Sequence, residues 1–113
     1  MLSKGEKIFI ITRRLFENDL RRHFIGEVQE VSGAAIRVRG YTFIFDDTSK
    51  EFVRRDNLRT RIFTIIDAGL IIILLPGEVV LEEIKYSINE KNYRIITDEK
   101  SFSMNVNEFG VFR

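Results

Sequence analysis

Leu70-Ile71-Ile72-Ile73-Leu74-Leu75 places six apolar side chains in succession, in a chain whose other apolar residues mostly alternate with polar ones. Successive side chains on a strand point to opposite faces, so an alternating strand sets one face on a core and the other in water, whereas an unbroken apolar run needs cover on both. Side chains of this kind left in water forgo about 1.5–3 kcal/mol each, a large share of the roughly 5–15 kcal/mol that holds a domain together. A chain of 113 residues has few elements to spare for that cover. A second copy of the chain supplies it most simply; the alternative is that C-terminal strands or the N-terminal segment fold across the run. The sequence therefore predicts a homo-oligomer with Leu70, Ile71, Ile72, Ile73 and Leu74 at the interface.

Elsewhere the pattern has period two, is rich in Ile, Val, Phe and Thr, and is broken by turn residues at short intervals, which predicts a small all-β barrel or sandwich. Strands are expected over Lys7–Thr12, Phe24–Val31, Ala35–Phe45, Arg61–Ile66, Leu70–Leu75, Val79–Ile88, Tyr93–Thr97 and Phe102–Val106, with residues 13–22 open between helix and strand. Ser32-Gly33-Ala34 makes a hairpin of the second and third, with Gly33 at positive φ. The alternation changes phase at Gly40, which predicts a bulge or sharp bend there. Thr48-Ser49-Lys50-Glu51 matches a capping box and predicts one short helical turn, with a polar loop carrying Phe52 inward as the alternative. The chain length allows one domain, read as an N-terminal strand and basic segment (1–23), a core (24–88) and a C-terminal hairpin (89–113).

Composition removes most familiar chemistry. There is no cysteine and one histidine, His23, so disulfides, thiolate metal sites and multi-histidine sites within one chain are excluded. Asp46-Asp47 with Glu51 or Asp56 fits no calcium-loop spacing and reads as a turn former. Glu82-Glu83 on a strand would point to opposite faces and cannot share a substrate. No phosphate loop, nucleophile elbow or nucleotide fingerprint is present, so no enzyme and no cofactor are expected. The apolar run is far short of the roughly 20 residues needed to cross a bilayer, and the N-terminus has the wrong order for a secretory signal; a cytoplasmic location without membrane association is expected.

Phe24-Ile25-Gly26-Glu27-Val28-Gln29-Glu30-Val31 followed by Ala35–Phe45 resembles the first motif of the Sm-like proteins (Sm, LSm and Hfq), and Arg61–Ile73 resembles their second motif: an apolar strand, a tight turn and another apolar strand. The resemblance covers about residues 24–86. It implies an all-β fold, a small bent β-barrel of Sm-like or SH3-like form, here with a C-terminal β-hairpin and at most one short helix. It also implies ring assembly, because the fourth and fifth strands of that family pair edge to edge between neighbours. The family's RNA pocket is not implied: Ser32, Gly33, Ala34 and Ala35 stand where its Asp and Asn would be, and Ile66-Asp67 where its Arg-Gly would be.

The expected function is thus a non-catalytic module that self-assembles and serves as a scaffold. The alternative is an oligomer binding RNA or another anionic partner through Arg13, Arg14, Arg21, Arg22 and His23, with Arg37 and Arg39 on the strand after the hairpin and aromatic residues nearby for stacking. Two features weigh against it. Glu17, Asp19, Glu27 and Glu30 are interspersed with these cations, and the formal net charge is only +1. Charge is uneven along the chain, however: residues 1–61 hold 13 Lys and Arg against 9 Asp and Glu, and residues 62–113 hold 5 against 8.

Overall fold

The computed structural model describes residues 2–13, 21–55, 57–66 and 69–106, and the fold is all-β and antiparallel. The chain divides into two compact units, Met1–Gly77 and Glu78–Arg113. In the first, strands β1 (Lys7–Thr12), β2 (Arg22–Ser32), β3 (Ala35–Asp46), β4 (Glu51–Arg54), β5 (Arg59–Thr64) and β6 (Leu70–Leu75) form one sheet in the order β4-β3-β2-β1-β6, with β5 also on β3. β1 lies between β2 and β6, which explains why Ile8, Phe9 and Ile10 are all fully buried. Ile8, Ile10, Phe24, Val28, Ile36 and Val38 form a core cluster on one face, with Phe63, Ile65, Leu70 and Ile72 packed against it. Aromatic rings occupy the other face, where His23 stacks on Phe52 and meets the edge of Phe9.

The β2–β3 hairpin turns as expected, through Gly33 at φ 59°. The irregularity expected at Gly40 lies instead in β2. Val28 pairs with Val38 and Glu30 with Arg37, so Gln29 is the extra residue of a bulge. Its effect is a parity shift. Without it, residues three apart would point to opposite faces; with it, Val28 and Val31 both face the core cluster, while Glu27 and Glu30 both lie opposite arginines, Arg39 and Arg37. Gly40 has a different task. It pairs with Gly26, and a Cβ on Gly40 would run into the Ile25 carbonyl oxygen and come within 2.5 Å of the Gly26 Cα. The two bare backbones meet where the outer edge of β3 passes from β5, paired over Ala35–Gly40, to β4, paired over Phe43–Asp46.

Two further expectations are corrected. No strand pairing joins β6 to β4 or β5 among the described residues, so the expected barrel is not closed by hydrogen bonds there. The capping box does not form, and the one turn closed there, from the Lys50 N–H to the Asp46 carbonyl at 2.8 Å, does not continue into a helix. Asp46 organises the segment instead, its carboxylate accepting from the Thr48 and Ser49 N–H groups at 3.2 and 3.3 Å, and Glu51 already belongs to β4 with Phe52 buried behind it. The C-terminal hairpin is present as β8 (Arg94–Thr97) with β9 (Ser103–Asn105), and β7 (Lys85–Ile88), expected in the core, pairs with β8 to make it a three-stranded sheet.

The strand expected over Val79–Ile88 begins late because a 3₁₀ turn occupies Leu81–Glu83. Asn89 shapes the β7–β8 turn, its side-chain oxygen accepting from the Lys91 and Tyr93 N–H groups. No helix among the described residues is long and apolar enough to cross a membrane.

Candidate functional site

β6 is hydrogen-bonded along one edge only among the described residues. It pairs with β1 from Lys7 opposite Leu75 to Thr12 opposite Leu70, and the ladder continues through the Arg13 N–H to the Gly69 carbonyl at 2.7 Å. Ile72 packs toward the core cluster and Leu75 is buried, but Ile71 and Leu74, on opposite faces, stay 50% and 55% exposed. The chain therefore shelters this apolar run in part. β5 is likewise bonded on one edge, to β3, and Ile62 and the following Ile66 are 65% and 79% exposed. Both strands are six residues long. Edges are normally guarded by charges, prolines or bulges; β6 contains none of these and ends at Pro76, while β5 carries Arg59 and Arg61.

The cations singled out in the sequence do not converge. Arg14 lies outside the described residues. Arg13 and Arg22 are exposed, but Arg22 pairs with Ile44 and so stands on the face opposite Arg37 and Arg39. Arg21 rests its guanidinium 4.8 Å from the Phe45 ring centroid. His23 is not a surface cation: it is 7% exposed, its ring 4.2 Å from Phe52 in a near-parallel stack and 5.0 Å from the edge-on Phe9. Strand parity accounts for this, since His23 shares a face with Ile25 and Phe9 while Arg22 does not. Arg37 is engaged by Glu30 at 2.6 Å, and Arg39 stands across from Glu27.

A second basic group was missed in the sequence. Arg54, Arg55, Arg59 and Arg61 lie within eight residues that contain one acid, Asp56, itself outside the described residues. They line the outer edge of β3. Arg54 pairs with Phe43 and holds its guanidinium 4.7 Å from the Tyr41 ring centroid, the Arg55 N–H donates to the Thr42 carbonyl, Arg59 pairs with Gly40, and Arg61 with Val38. The register thus sets Phe43, Gly40 and Val38, not carboxylates, opposite Arg54, Arg59 and Arg61, and puts Arg54 on the other face of β3 from Arg59 and Arg61. The signal was present in Arg54-Arg55-Asp56-Asn57-Leu58-Arg59-Thr60-Arg61, a stretch with twice as many arginines as either cluster near the N-terminus.

The perturbed carboxylates are structural. Hydrogen bonds from the Ser49 side chain and the Thr48 N–H hold the Asp46 carboxyl below the usual aspartate range. Asp98, 1% exposed, accepts from the Lys100, Ser101 and Phe102 N–H groups on one oxygen and from Val80 on the other, and these bonds, Lys100 foremost, lower its pKa against the effect of burial. Among the described residues no group of three or more His, Asp or Glu stands together as a metal cluster. Compared with protein-family models, curated proteins and solved structures, the chain matches none.

Proposed function

We propose that this protein is a non-catalytic β-sheet module that assembles with copies of itself, the β6 edge of one copy hydrogen-bonding to the β5 edge of the next, and that the assembly serves as a scaffold. The observation that carries this reading is the β6 edge: six apolar residues with no guarding charge, bonded on one side to β1, with Ile71 and Leu74 half exposed. Magnitude favours edge pairing over stacking of faces. Sheltering the exposed halves of Ile62, Ile71 and Leu74 is worth about 1 kcal/mol each, below the roughly 4–15 kcal/mol that association costs. Strand-to-strand hydrogen bonds, at about 0.5–1.5 kcal/mol each, must supply the rest. In this reading β5 and β6 take the places of the edge strands that join neighbours in Sm-like rings.

Light scattering on the purified chain tests the proposal. The expected result is a discrete oligomer that Ile71→Lys with Leu74→Lys converts to a monomer while the far-ultraviolet circular dichroism stays unchanged. Ile72 is unsuitable for this test because it packs toward the core cluster. A wild-type chain that remains monomeric at concentrations of about 100 μM, where an interaction of about 8 kcal/mol would be saturated, overturns the reading.

A further inference from the structure

We infer that the arginines on the outer edge of β3 form a second functional surface, a binding strip for single-stranded nucleic acid. Arg55, Arg59 and Arg61 are exposed, and none makes a side-chain hydrogen bond or ion pair with a described residue. Arg59 and Arg61 are two apart on β5 and project from the same side, about 7 Å from each other along the strand. Arg54, opposite Phe43, stands with Tyr41 on the other face of β3 and its guanidinium is occupied by that ring, so the strip is Arg55, Arg59 and Arg61. Exposed cations in line along an edge follow the phosphates of a strand without sequence preference. The cations are all arginine, whose planar fork matches a phosphate in two hydrogen bonds.

The low net charge of the chain does not oppose the inference, because charge is segregated. Residues 1–77 hold 13 basic against 10 acidic side chains, and residues 78–113 hold 5 against 7. A near-neutral total therefore conceals a basic first unit. Edge pairing through β5 uses backbone groups, so the arginine side chains stay available in an assembled protein. The strip offers no arrangement that reads base edges, so binding is insensitive to sequence and strongly dependent on salt.

The test is fluorescence anisotropy with labelled oligo(U) and oligo(dT) of about 20 nucleotides, titrated with the full chain between about 50 and 200 mM salt. The expected result is binding to both that weakens with salt. The triple variant Arg55→Gln, Arg59→Gln, Arg61→Gln should lower the slope of log K against log salt by about 2, at roughly 0.7 per lost phosphate contact, with melting temperature and oligomer mass unchanged. The control variant Arg13→Gln, Arg22→Gln should leave the slope within about 0.5 of wild type.

Absence of binding at low salt overturns the inference, and so does equal loss in the control variant. Binding of labelled polyglutamate as tight as that of oligo(U) overturns the choice of nucleic acid and points to an acidic protein. Loss of binding that occurs only with loss of the oligomer also counts against the strip. A monomeric wild type that still binds through these arginines would overturn self-assembly alone and leave this inference standing.

Discussion

Gly33 and Gly40 show how differently one residue type can be required. Gly33 has open space around its Cα and is selected by its positive φ alone; Gly40 has ordinary backbone angles but no room, since any Cβ there would collide with the β2 backbone. Gly33→Ala should therefore cost only about 1–2 kcal/mol, the strain of a left-handed alanine. Gly40→Ala should cost about 3 kcal/mol or prevent folding, because backbone rather than a flexible side chain must move. Urea denaturation of the two variants orders them, and equal losses would show that β2 and β3 do not approach as described. The same contrast separates what was legible in the sequence from what was not. A turn glycine announces itself by its neighbours, Ser32 and Ala34, whereas the demand on Gly40 comes from Gly26, fourteen positions away. From one strand alone, a change of phase marks a distortion without saying which partner carries it.

At the scale of elements, the second unit depends on a turn rather than on a large core. Asp98 gathers the N–H groups of the β8–β9 connection and that of Val80, tying two segments eighteen residues apart through one carboxylate. Because its folded pKa lies below the ordinary value, its stabilising contribution is complete above the unfolded pKa and is lost as pH falls through the folded one. Asp98→Asn keeps one acceptor oxygen but turns an N–H₂ toward the Val80 N–H. The expected outcome is a variant less stable than wild type at neutral pH, with the gap narrowing below about pH 4. Thermal melts across that range check it, and comparison with wild type removes the parallel contribution of Asp46.

Among the strands, β1 and β6 matched their expected limits residue for residue, because Lys7–Thr12 and Leu70–Leu75 have abrupt ends in composition. β7 did not, because Val79–Ile88 has the apolar content of a strand and nothing local forecasts that Leu81–Glu83 turns as a 3₁₀ helix. The arginine strip was visible as composition but not as a surface. Only the pairing of β4 and β5 side by side on β3 brings residues 55–61 into line.

For the whole molecule, β5 and β6 are different edges, so the proposed contact is heterologous and must close into a ring or grow without limit. This can be read out by mixing. A β6-edge variant (Ile71→Lys with Leu74→Lys) and a β5-edge variant (Ile62→Lys) should each be monomeric alone. An equimolar mixture should form heterodimers and nothing larger, since each partner retains one sound edge. A β5-edge variant that still dimerises by itself would show instead a two-fold contact of β6 with β6. The position of β1 carries a consequence of another kind. Lys7 pairs with Leu75 and Thr12 with Leu70, so β1 is made before the other strands of its sheet and receives its second neighbour only after about sixty further residues have been synthesised. Until then Ile8, Phe9 and Ile10 have β2 beside them on one edge and nothing on the other. Such distant pairing slows folding and prolongs the exposure of sticky intermediates, so production of this chain should depend on chaperone supply and on the pace of translation before residue 75.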